Sequence, residues 1–184
     1  MSEPRIPALP AVLLPPEIVR LLPDIPDPQQ RSGINLLRTL AQHPGLAVAH
    51  YPLSIFLLFE GEVPPRDREL VILRTAALTG ADYIWGHHSR IGRDSGLTDH
   101  DFTALISGPD DPHWSPFESS LIRAADQIHH DNSISKEAWD TLGNRYSNQQ
   151  LIELLFIVGH YQLIAYVTNS IGITLDPGLP FLPT

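Results

Sequence analysis

The chain is predicted to be all-α, and three features of its sequence say so. Apolar residues recur at helical spacing from Arg31 onward. No stretch alternates apolar and polar residues over a convincing β length. Serine, threonine and proline stand where helices begin. With 184 residues, 42% hydrophobic and 18% charged, the chain suits one globular domain with a buried core. The expected organisation is an N-terminal arm over residues 1–30, a helical domain of about eight helices over 31–177, and an extended tail over 178–184.

Eight of the eighteen prolines fall within the first 28 residues. Proline fixes φ and has no amide donor, so this arm is predicted to be extended, with at most a short helix at Glu17 to Leu22. Its apolar residues Ile6, Leu9, Val12, Leu13 and Leu14 favour draping over a neighbour, across a subunit boundary if one is present. Ile34, Leu36, Leu37, Leu40 and Ala41 form the first amphipathic helix, closed by His43-Pro44. A second helix follows from about Pro44 to Phe59. The third, Arg66 to Thr79, is opened by Pro64-Pro65 and stopped by Gly80. It is apolar nearly all round, which predicts an interior position. A fourth runs from Asp82 to Ser95. Thr98 caps a short helix to Ile106, and Ser107 to Pro116 is a loop. Ser115 with Glu118 makes a capping box for a helix to Asn132. Ser135 caps a helix to Arg145, and Ser147 precedes the last, to about Ile171. The tail from Asp176 is proline-rich and extended.

Composition excludes several classes of chemistry. The net charge of -9, with twelve Lys and Arg scattered singly, argues against a nucleic-acid partner. There is no cysteine, which rules out disulfides, thiolate catalysis and cysteine-ligated metals. The N-terminus lacks the basic start and unbroken apolar core of a secretory signal. No run approaches the ~20 apolar residues that cross a bilayer, since Leu151 to Ile173 is interrupted by Glu153, His160, Gln162 and Asn169. A soluble, cytoplasmic protein is expected. No HExxH spacing, GxGxxG, GxxxxGK[ST] or GxSxG motif occurs, so no metal, nucleotide cofactor or serine nucleophile is predicted.

The segment RDRELVILRTAALTGADYIWGHHSRIGRDSGL, Arg66 to Leu97, concentrates the groups able to move protons. Glu69 lies on the apolar third helix, where a carboxylate is costly unless paired. It is either a salt-bridge partner of Arg66, Arg68 or Arg74, or a group tuned by burial for proton exchange. Ala81, Ile84 and His88 share one face of the fourth helix, so His88 points wherever that apolar stripe packs. It is either a satisfied core histidine or an acid/base. Tyr83 offers a phenolic donor. Trp85 and His87 lie on other faces, suited to packing and to solvent or subunit contacts. His160, on the last helix, would have to meet His88 in space.

Gly80-Ala81-Asp82-Tyr83-Ile84-Trp85-Gly86-His87-His88 resembles the carboxymuconolactone decarboxylase-like family, which includes the alkylhydroperoxidase D-type proteins. Members carry a glutamate on one helix and Gly-Cys-x-x-Cys-x-x-x-His at the start of the next. His88 falls on the family histidine, and Ala81 and Ile84 occupy the two cysteine positions. Glu69 stands where the peroxidase branch keeps a proton-relay glutamate, and Tyr83 where a second relay group can stand. Asn35 to Gly45 and Gln150 to Gly172 also look like family regions. The resemblance runs from about Ile34 to Pro177 and implies an alkylhydroperoxidase D-like helical bundle assembling as trimers or hexamers.

Thiol peroxidase chemistry needs an attacking and a resolving sulfur, and this chain supplies neither. The leading expectation is a cofactor-free lyase or isomerase acting on a small organic acid, lactone or related carbonyl compound. Its predicted catalytic residues are Glu69, Tyr83 and His88, with Trp85, His87 and His160 contacting the substrate. A non-catalytic oligomeric binding protein, favoured by Ile84 on the active face, and a biosynthetic cyclase with a shaped apolar pocket are the alternatives. The predicted pocket lies between the third and fourth helices.

Overall fold

The computed structural model describes residues 3–21 and 34–183. These form a single 3-10 turn at Ala11–Leu13 and nine α-helices, with no strand among the described residues. The helices are α1 Pro16–Val19, α2 Asn35–Leu40, α3 Pro44–Ile55, α4 Pro65–Thr79, α5 Asp82–Asp94, α6 Asp99–Ser107, α7 Pro116–Asp131, α8 Lys136–Gly143 and α9 Asn148–Ile171. The ninth, beyond the expected eight, is the one-turn α1 in the proline-rich arm. The second predicted helix is α3 prolonged by a π turn at Phe56–Glu60. Pro52, inside α3, cannot donate to the carbonyl four residues back, which loosens the register ahead of that turn.

Helix α4 is the axis of the bundle, packed on α5, α7 and α9. Leu70, Val71, Ile72 and Leu73 are wholly buried, as a helix apolar all round requires. The polar groups it buries are paired: Asp67 accepts a 2.7 Å hydrogen bond from the Tyr146 hydroxyl. Gly80 takes the left-handed conformation (φ 59°) that ends α4 and turns the chain directly into α5. The predicted capping box forms at Ser115/Glu118; the predicted cap Thr98 also forms one, with Asp101, and another pairs Ser147 with Gln150.

Helix α9 corrects one expectation. By length and apolarity it suffices to cross a bilayer, although only the interrupted run Leu151 to Ile173 was visible in the sequence. Its inward face (Leu154, Ile157, Val158, Ala165) belongs to the core, so bundle packing accounts for half of that apolarity.

The N-terminal arm drapes over its own chain. The Arg5 amide donates to the Ile171 carbonyl at 2.7 Å. Leu9 and Arg38 exchange bonds, the Arg38 Nε donating to the Leu9 carbonyl at 2.6 Å. Ile18 is fully buried with Leu37, Ala41 and Ala47 in a small second core. The end of the helix predicted to Leu22, and the boundary drawn near residue 30, lie outside the described residues.

Candidate active site

The turn at Gly80 folds α5 back along α4 and brings Glu69 against His88. Glu69 Oε2 accepts from His88 Nδ1 at 2.7 Å, and Arg68 Nε donates to Glu69 Oε1 at 2.9 Å. Glu69 is wholly buried and His88 nearly so. Of the arginines weighed as partners only Arg68 pairs with Glu69; Arg66 bridges Asp101 and Glu118, and Arg74 binds Asp126. Burial pushes the Glu69 carboxyl up, but the charge and hydrogen bonds of His88 and Arg68 outweigh it and hold the group below its ordinary value. Glu69 is therefore a carboxylate, and His88 must present Nδ1–H to it. With Nδ1–H given to Glu69, Nε2 is the nitrogen left to exchange a proton with a ligand, and it has no hydrogen-bond partner among the described residues.

His88 forms part of the wall of a cavity of about 750 Å³, within the range of small-molecule sites. The pocket does not lie between α4 and α5, as the sequence had suggested. Its walls come from α2, α3, α5, α9 and the C-terminal tail. Helix α4, enclosed by its neighbours, contributes only Glu69 from behind His88. Apolar side chains such as Leu37, Ile55, Ile84, Ile91 and Ile164 dominate the lining, and Arg90 is the one Lys or Arg among the lining residues. Arg90 is exposed at the rim.

Opposite groups on α3 and α9 complete the polar part of the wall. The His50 and His160 rings stack at 4.9 Å and 8°. The Ser54 hydroxyl lies 3.3 Å from Nε2 of each. Burial, and then the neighbouring His50 and His88, lower the His160 pKa to about 4; burial also lowers that of His50. Both rings are thus neutral at pH 7. Tyr161 meets the His88 ring edge-on at 4.7 Å, and burial raises its hydroxyl well above the usual tyrosine range.

Two of the predicted site residues take other roles. Tyr83 lines the cavity, but its hydroxyl donates to Asp176 Oδ2 at 2.6 Å and accepts from the Leu36 amide at 3.0 Å. Its only proton is committed, so it cannot also donate to an oxyanion. Trp85 is buried in the core against Phe102 at 6.0 Å and does not reach the cavity. One residue on from Ile84, it points about 100° away from the cavity-facing stripe. His87 lines the cavity, its Nε2–H donating to Asp176 Oδ2 at 2.9 Å. Asp176 also accepts from the Asn35 amide. Burial raises the Asp176 carboxyl, and its bonds to His87, Tyr83 and Asn35 more than reverse this.

His50, Ser54, Tyr161 and Asp176 were not singled out from the sequence. Tyr161 adjoins His160, and His50 and Ser54 lie one turn apart on α3, a spacing that could have marked them. Asp176, in an aperiodic tail, had no such signal.

The tail holds its place because α5 has no side chain at Gly86. A Cβ there would stand 2.7 Å from Leu175 Cδ1 and 2.9 Å from the Pro180 carbonyl oxygen. Gly86→Ala would gain about 1 kcal/mol in helix propensity. Displacing a packed backbone costs more, and a net loss of roughly 1–3 kcal/mol is expected. Denaturant titration with limited proteolysis of the tail checks this; unchanged stability with a protected tail would refute the close-packing argument.

Residues 47–127 match the family model described as the Carboxymuconolactone decarboxylase family. The fold matches the alkylhydroperoxidase AhpD core of an uncharacterized peroxidase-related protein from Ralstonia eutropha JMP134. The TM-score is 0.81 at 16% identity, covering 96% of this chain and 94% of that one. An uncharacterized peroxidase-related protein from Silicibacter sp. TM1040 aligns with a TM-score of 0.72 at 14% identity, covering 96% of each chain. The debrominase Bmp8, as a cysteine-to-alanine form in complex with 2,3,4-tribromopyrrole, aligns at 0.68 and 19% identity, covering 96% and 94%. A comparison with curated proteins gives no match. The segment that carries Glu69 and His88 thus matches the carboxymuconolactone decarboxylase family model, and the chain has an alkylhydroperoxidase D-like fold without the cysteine pair.

Proposed function

We propose that the chain is a cofactor-free acid/base lyase or isomerase acting on a carbonyl compound. The observation that carries this reading is the 2.7 Å His88–Glu69 bond at the wall of an apolar cavity. Nε2 of His88 would take a proton from the carbon beside a carbonyl and return it elsewhere on the substrate. Glu69 holds the ring in that tautomer and stabilises the imidazolium that forms. Tyr161, whose hydroxyl has no partner among the described residues, replaces Tyr83 as the donor to the developing enolate oxygen. Lactones and ketones fit the cavity better than free acids, because the lining holds no buried Lys or Arg to pair with a carboxylate.

A ketone with exchangeable α-hydrogens, such as acetophenone in heavy water, tests the reading. His88→Gln should slow protein-catalysed deuterium uptake by about 10²–10⁴-fold. Uptake at the solution rate with the unaltered protein would overturn it. The alternative, a binding protein without catalysis, has support in the commitment of Tyr83 and predicts that outcome.

The reading includes a homo-oligomer, the trimer or hexamer that the family resemblance implied. Ile152, Phe156, Leu163 and Tyr166 form an outward stripe on α9, each about half exposed or more, beside Phe59 at 69%. An apolar strip of this kind is unusual on a monomer. Phe156→Glu should lower the mass seen by light scattering to that of one chain; a monomeric unaltered protein would refute the assembly.

A further inference from the structure

The cavity carries a second polar locus that the proton-transfer reading leaves unused. His50 and Ser54 project from α3 and His160 from α9, and all of them line the cavity. His160 is 7% exposed, and its Nδ1 is buried with no hydrogen-bond partner among the described residues. A buried polar atom left unpaired costs free energy until a partner arrives. Ser54 can donate to one of the two facing rings while accepting from the other. The cluster therefore still has hydrogen-bonding capacity, yet contains no permanent charge. Parallel stacking at 4.9 Å suits two neutral imidazoles and would force two cations together. The only cationic Lys or Arg side chain of the lining, Arg90, is at the exposed rim.

We infer that His160, His50 and Ser54 form a subsite for a neutral oxygen function, a hydroxyl or carbonyl, so that the substrate is an uncharged, mostly apolar ketone or lactone bearing a second oxygen group. The inference rests on the proposed acid/base reading for the identity of the first carbonyl, which His88 and Tyr161 engage. Tyr161 and His160 are adjacent on α9, with ring centroids 5.3 Å apart, so both ends of such a molecule are read from one helix. A neutral imidazole can donate or accept, and it suits hydroxyl and carbonyl equally. A carboxylate here would lie in an apolar cavity without a counter-ion, which is strongly unfavourable.

Calorimetric titration of the full chain at pH 7.5 would test the subsite with three kinds of probe. These are acetophenone and acetylnaphthalene, their hydroxy forms, and the matching carboxylates acetylbenzoate and acetylnaphthoate. The hydroxy forms should bind roughly tenfold more tightly than the parent ketones, the effect of one good buried hydrogen bond. The carboxylates should bind more weakly than either. His160→Leu should abolish the hydroxyl preference while leaving the parent ketones bound. Ser54→Ala, a smaller change, should reduce it and guards against a His160 variant that fails to fold. Carboxylates binding tightest, or a hydroxyl preference unaltered in both variants, would overturn the subsite. Deuterium uptake separates the two readings. Preferential hydroxyl binding without exchange sinks only the acid/base proposal, and exchange with a preference for carboxylates sinks only this one.

Discussion

Glu69→Gln is expected to slow α-proton exchange by about 10²–10⁴-fold while destabilising the fold. Glutamine keeps the shape of the side chain but can no longer neutralise an imidazolium, so His88 loses the partner that makes Nε2 a base. The structural cost comes from the other side. Arg68 is nearly buried, and Glu69 is its one ion-pair partner among the described residues. Removing the carboxylate leaves a guanidinium in the core without its counter-charge, which typically costs roughly 3–5 kcal/mol. His88→Gln leaves the Arg68–Glu69 pair whole, and the glutamine amide can still donate to the carboxylate. It should therefore match Glu69→Gln in lost exchange while losing much less stability. Urea denaturation of both variants, beside their exchange rates, checks the pair of outcomes. Equal stability loss in the two would mean that Arg68 does not depend on Glu69.

Acidification gives the second large effect. His160 has a pKa near 4 in the fold against an ordinary 6.5. The unfolded chain therefore binds a proton between these values that the folded chain refuses, and stability must fall as pH drops through that window. At 1.36 kcal/mol per unit, the loss from this group has an upper bound of about 3 kcal/mol, complete near pH 4. His160→Gln removes the titration. The difference in unfolding free energy between the unaltered protein and the variant should thus shrink steadily from pH 7 to pH 4. A constant difference would show that His160 is solvated in the folded state. His50 is displaced in the same direction by its own burial and stacks on His160, so a His50→Gln variant titrated alongside separates its contribution.

Glu69 and His88 were legible because their helices were. A buried-type helix stopped by Gly80, followed at once by an amphipathic one, places a residue from each at their shared face, and here the pair meets at 2.7 Å. Trp85 illustrates a misreading that the helical period itself warned against, since the face of Ile84 and His88 excludes it. Tyr83 illustrates a different limit. Its presence beside the cavity was readable, but the commitment of its hydroxyl depends on Asp176, 93 positions away in the chain.

Local rules therefore determined the helices, their caps, the absence of sulfur chemistry and the candidates for moving protons. Caps, left-handed glycines and apolar periodicity act within about one turn, so they can be read without knowing the rest of the fold. Tertiary structure alone decided which side chains share a cavity, and that the wall would include Ser54 and His160, 106 positions apart. It also decided that the tail would close over Gly86. Such meetings depend on the packing of whole helices about α4, where many weak contacts act together and no short window of sequence holds the information.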